Sequence, residues 1–94
     1  MTNNSRFNFT NVRIVTDRYA ANDRLAVFLY RGHELYAIAS VCIGNPPLAE
    51  DEFLFKTYTE NEGLMRAMIQ HGFIEWTGRC YGCSLGLVPI CRLL

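Results

Sequence analysis

The chain has 94 residues, half of them hydrophobic, with six Phe, five Tyr and one Trp. That is enough apolar material for one modest core, which excludes a disordered tail and leaves little room for a second domain. Nine cations balance nine acids, and a formal charge of zero excludes the strong nonspecific hold on nucleic acid that many phosphate-neutralising cations provide.

The charge is unevenly distributed. Residues 1–33 carry five Arg against two Asp, residues 34–62 carry six acids against Lys56, and the remainder carries three Arg against Glu75. Ordinary solvated faces account for this pattern. The sharper reading is a dipolar surface with an acidic patch at Glu50, Asp51, Glu52, Glu60 and Glu62. No run of 18 or more apolar residues exists to cross a membrane. The first residues lack the apolar region of a secretory signal, so a soluble, cytoplasmic protein is expected. In that setting the four cysteines are expected to be thiols.

In chain order, residues 1–5 are polar and expected to be flexible. Phe7, Phe9, Val12 and Ile14 nearly alternate with polar residues, and the slip between Phe9 and Val12 predicts a bulge or two short strands. Residues 20–24 read as a turn. Leu25 to Tyr30 is a continuous apolar run suited to a buried central strand. Gly32 lies in a short connection to the next apolar run, Leu35 to Ile43, which predicts a tight hairpin.

Gly44-Asn45-Pro46-Pro47 is the clearest breaker. A strand from Phe53 to Tyr58 follows the acidic segment. Thr59 and Glu62 have the spacing of a helix capping box. Leu64, Ala67 and Met68 then recur at helical spacing, and Gly72 stands where a left-handed stop belongs. The helix is expected over about 60–71. Two strands close the chain, about Phe73 to Arg79 and about Ser84 to Arg92, joined near Tyr81-Gly82. Pro89 cannot donate to a ladder, which places the last strand at an edge or puts a bulge there. The order predicts a single α+β domain, an antiparallel sheet of five to six strands with one helix on a face.

Chemistry is less legible. Cys80-x-x-Cys83 with Cys91 and His71 is the only constellation with zinc-ligand character, but the second half-site is missing. Buried cysteines acting as small hydrophobes are the competing reading. A redox role would need a helix start that the glycines around Cys83 disfavour. His33 and His71 have no thiol placed beside them by the sequence, so nucleophilic catalysis has no support. Trp76, flanked by Glu75 and Thr77, is either core or an interface residue; its mean burial favours core.

An order of features carries a resemblance. It consists of Leu25 to Val27, Tyr-Ala-x-x-Ser-Val at Tyr36 to Val41, and Lys-x-Tyr-x-Glu-Asn-Glu-Gly at Lys56 to Gly63. Gly72, Thr-Gly-Arg at Thr77 to Arg79, and Pro89 complete it. In this order the chain resembles a group of short phage- and plasmid-borne proteins found beside anti-defence genes; the cysteines lie outside the shared pattern. The resemblance implies a non-enzymatic inhibitor without a cofactor. Such a protein would bind a bacterial defence complex, a CRISPR effector or a restriction enzyme, and block nucleic-acid binding or cleavage. Contact would fall on Glu50, Asp51, Glu52, Glu60, Glu62, Trp76 and Arg79, with no direct nucleic-acid or membrane contact and a homodimer allowed by an open sheet edge. A nucleotide-binding sponge and a zinc-stabilised module are the alternatives.

Overall fold

The computed structural model describes residues 6–94; the expectation for residues 1–5 lies outside them. The class is α+β, with six strands and one α-helix among the described residues. The strands are β1 (Val12–Arg18), β2 (Leu25–Arg31), β3 (Glu34–Ile38), β4 (Glu52–Leu54), β5 (Ile74–Cys83) and β6 (Gly86–Leu93), and the helix is α1 (Leu64–His71). All ladders are antiparallel, and they form two three-stranded sheets ordered β1-β2-β3 and β4-β6-β5.

The sheets meet at a single bridge between Ser40 and Phe55. Beside it, Val41 donates to the Leu54 carbonyl at 3.1 Å and Lys56 to the Ala39 carbonyl at 2.8 Å. Ser40 is buried there because its hydroxyl accepts from the Val27 amide at 2.9 Å and pairs with the Tyr19 hydroxyl at 2.8 Å.

The hairpin after β2 is tight, as expected, with Gly32 at φ 62°. The slip after Phe9 is a turn rather than a bulge. The Phe9 carbonyl accepts from Val12 at 3.0 Å and Asn11 adopts φ 61°, so the regular strand starts only at Val12. Phe9 itself is buried, edge-on to Tyr36 and Phe73. β3 and β4 are shorter than the apolar runs suggested, because the chain between them leaves the ladders to cover the far face of the second sheet.

The helix differs at its start. No capping box forms: Thr59–Asn61 is one 3₁₀ turn, and α1 begins after Gly63, which is left-handed at φ 84°. The Thr59 hydroxyl donates to Tyr58 and Glu60 instead. Asn61 is the residue that fixes this segment. It is buried, and its Nδ2 donates to the carbonyls of Ile38 at 2.7 Å and Lys56 at 2.9 Å. The stop is as expected, with Gly72 at φ 90° and its N–H on the carbonyls of Met68 and Ile69. Leu64, Ala67 and Met68 enter the main core with Val27, Leu29, Phe53, Phe55, Ile74 and Cys91.

The closing hairpin is longer than expected. Its turn falls at Ser84-Leu85 rather than Tyr81-Gly82, and β5 runs ten residues. Pro89 is not on an edge strand: β6 is the centre of its sheet. Proline is tolerated because β4 has ended. The Pro89 carbonyl still accepts from Phe55 at 2.9 Å, and the ring occupies the position of the reciprocal donor. The irregularity lies across the ladder, in β5, where the register shifts between Trp76 and Arg79 and Gly78 takes φ 85°.

Candidate functional site

Residues opposite one another in a ladder share a face. The register of β4, β6 and β5 therefore sorts the second sheet into two sides. Phe53, Ile74, Cys91 and Leu93 face α1 and the main core. Glu52, Leu54, Ile90, Arg92, Glu75 and Arg79 face the other way. There Leu54, Val88 and Ile90 form a second cluster beneath Val41, Ile43 and Leu48. Gly44 turns this covering segment at φ 55°, and the Tyr81 hydroxyl lies so close that a Cβ there would force the ring to shift.

On that outer face stands a charge cluster. Glu52 is 4% exposed, yet it is fully engaged: Oε1 accepts from the Ala49 amide at 2.9 Å, and Oε2 accepts from Arg79 and from Arg92 at 3.1 Å. Arg92 also binds Glu75 and lies 3.6 Å from Asp51. The Arg79 hydrogen bond, followed by the Ala49 amide, holds the Glu52 carboxyl below the usual carboxylate range against the opposing effect of burial. The Glu75 carboxylate raises the pKa of Arg92.

This geometry divides the expected contact residues. Glu52 and Arg79 are partners of one another, so neither presents a free charge. Glu60 is exposed but held by Lys56 at 2.8 Å and by the Thr59 hydroxyl, which together lower its carboxyl to about 2. Glu50, Asp51 and Glu62 are exposed, and of these only Asp51 lies within ion-pair distance of a cation among the described residues. The acidic patch is thus smaller than its sequence count. Asp51 and Glu52 meet at Arg92, whereas Glu60 is paired separately with Lys56.

Trp76 is 51% exposed, against the expectation of a core position. It is nonetheless anchored: its Nε1 donates to the Arg79 carbonyl at 3.3 Å across the bulge. The Thr77 hydroxyl spans the ladder there, donating to Ile90 at 2.7 Å and accepting from the Arg79 amide at 3.2 Å. Beyond the bulge, Leu85 and Leu87 are 63% and 75% exposed. Sequence reasoning missed both leucines. The signal was available, since no charged residue occurs from Cys80 to Cys91.

The metal candidates are scattered. His71 lies at the C-terminal end of α1, its ring tilted against Phe73 with centroids 4.4 Å apart and edge-on to Phe9 at 5.2 Å. Cys80 is exposed, Cys83 half-buried and Cys91 buried, with burial pushing the Cys91 thiol up to about 12. Among the described residues no three His, Cys, Asp or Glu side chains are grouped to hold a metal. An open groove of about 470 Å³ runs between the N-terminal segment and α1, lined by Phe9, Thr10, Gln70 and His71 among others. No helix among the described residues is long and apolar enough to cross a membrane. No protein-family model matches the chain, and no curated protein or solved structure matches it either.

Proposed function

We propose that the protein is a non-enzymatic binding protein of phage or plasmid origin that inhibits a bacterial defence complex by protein–protein contact. Its contact surface is the β5–β6 hairpin. The observation that carries this reading is the half-exposed, hydrogen-bonded Trp76 on the same hairpin as exposed Leu85 and Leu87. An aromatic side chain held in place before binding loses little freedom on docking, and Trp is favoured among the residues that dominate binding energy. The charge cluster beneath fixes the base of the hairpin, while Glu50 and Asp51 supply an acidic rim. Such a rim would compete with phosphates for a basic nucleic-acid channel.

The test is affinity capture from a bacterial host carrying intact defence systems, read by mass spectrometry. The expected result is a nuclease or effector subunit retained by the parent protein, and lost with Trp76→Ala or with paired reversal of Glu50 and Asp51. Capture that is indifferent to all three changes would overturn the proposal.

The aromatic-walled groove beside α1 favours a second reading, a binder of nucleotide signals. A rise in melting temperature with a panel of cyclic and linear nucleotides, abolished by His71→Ala, would select it over the first. Absence of any shift removes it.

A further inference from the structure

The geometry points to β1 as the interface of a symmetric homodimer, in which two β1 strands pair antiparallel and join their sheets into one. β1 is the outer strand of its sheet, seven residues long, with no register shift against β2. It contains no Pro, Gly or Lys, and Val12, Ile14, Val15 and Thr16 are β-branched. Edge strands are ordinarily guarded by bulges, prolines or charged side chains, lysine above all. β5, the opposite edge, has such a guard in its Thr77-Gly78 bulge; β1 has neither bulge nor proline, and the charges it carries include Arg13 and Asp17, which are of opposite sign.

The backbone pattern selects a register. The Ala39 amide donates to Val27, so Val27 turns its backbone groups toward β3, and its β1 partner Thr16 turns away from β2. The bond from Tyr19 to the Arg24 carbonyl at the other end of the ladder gives the same alternation. The N–H and C=O groups of Ile14 and Thr16 therefore point to the open edge. Among the described residues none of the hydrogen bonds outside the strand ladders reaches them. A twofold axis through Val15 pairs Ile14 with Thr16 of the second copy, and Thr16 with its Ile14, satisfying these groups reciprocally.

The same axis sets Arg13 opposite Asp17 of the copy, and Asp17 opposite its Arg13. Both are exposed, and neither has an ion-pair partner among the described residues. Arg13 lies over Tyr30 with its guanidinium on the Gly32 carbonyl at 3.0 Å, and Asp17 accepts from the Arg18 amide. In this register these are the closely spaced, non-hydrogen-bonded pairs, where Cα atoms stand about 4.5 Å apart and opposite charges attract. The strand's charges are complementary to themselves under twofold symmetry, as an isologous interface requires. Half-buried Val15, Phe28 and Ile38 would run on into their counterparts across the axis.

This inference does not depend on the defence target. The hairpin proposed to bind that target lies at the other end of the strand order. Light scattering and sedimentation equilibrium on the purified protein test it. The parent is expected at twice the 10.8 kDa of one chain. R13D and D17R singly place like charges opposite one another and should give monomers, while R13D/D17R together restores the dimer. A monomeric parent at high protein concentration would overturn the inference. So would single reversals that keep the dimer mass, or a folded double variant that stays monomeric. Hydrogen exchange at the Ile14 and Thr16 amides gives an independent readout that needs no variant. It should slow as protein concentration rises, and a rate independent of concentration counts against the pairing. Trp76→Ala should leave the mass unchanged, which separates failure of this interface from failure of the hairpin.

Discussion

Glu52 stands directly across the β4–β6 ladder from Arg92, its Oε2 accepting from the Arg92 guanidinium at 3.1 Å while Arg79 reaches the same oxygen from β5. One buried carboxylate thereby ties all three strands of the second sheet. Buried charge is costly unless it is paired and hydrogen-bonded, and here it is both. Glu52→Gln keeps the shape but removes the charge. It is expected to cost about 1.5–3 kcal/mol, the range for hydrogen bonds to charged groups. Chemical denaturation should show this loss, whereas Glu50→Gln should stay within about 0.5 kcal/mol of the parent, as exposed substitutions do.

The pH dependence follows from the same carboxylate. Its pKa is lowered in the folded state, so its contribution is complete above the ordinary value of 4.5 and is lost as pH falls through the folded value. Melting temperature should fall below pH 4.5, and Glu52→Gln should flatten that slope. Glu60 acts in the same direction over the interval from 4.5 to about 2, but it is exposed and screened, so Glu60→Gln should alter the curve much less.

The junction between β4 and α1 gives a third prediction. Asn61→Ala strips two half-buried carbonyls, those of Ile38 and Lys56, of their donor and should cost about 1–3 kcal/mol. Glu62→Ala should be near neutral, since no capping interaction exists to lose. Thr59 holds φ 57°, a conformation that β-branched residues rarely adopt, so Thr59→Gly should be no less stable than the parent. Thermal melts of the three variants distinguish this arrangement from a capping box, for which Thr59 and Glu62 would be the costly positions.

Thiol reactivity provides a fourth. Cys42 and Cys80 are exposed, Cys83 is half-buried, and Cys91 lies in the core with its thiol raised to about 12. Alkylation under native conditions, followed by mass spectrometry, should label Cys42 and Cys80 first and Cys83 more slowly. Cys91 should react only on unfolding, because the thiolate is the reactive form and burial opposes it.

The features legible in the sequence were those fixed by local chemistry. Gly32 set the first hairpin and Gly72 the helix stop, because a left-handed residue leaves few alternatives. The spacing of Leu64, Ala67 and Met68 gave the buried face of α1. What misled were local signals overruled by tertiary partners. Thr59 and Glu62 match a capping box, yet Gly63 turns left-handed between them and the helix, and Asn61 is drawn into the core. Pro89 signals an edge, but a three-residue neighbour ends in time to spare its missing donor. At the candidate site, Trp76 and Arg79 stood out as residue types. The partnership of Arg79 with Glu52 could not be read, because the two lie 27 positions apart and meet only through β6.

The seam at Ser40 and Phe55 divides the chain along its sequence as well as in space. Everything in the first sheet comes from residues 12–38 and everything in the second from residues 52–93, so neither sheet borrows a strand from the other. On a ribosome, the three-stranded meander can therefore form while the acidic segment, helix and closing hairpin are still being made. The second half needs that meander as its neighbour, and the amides of Val41 and Lys56 are the backbone bonds that join the two.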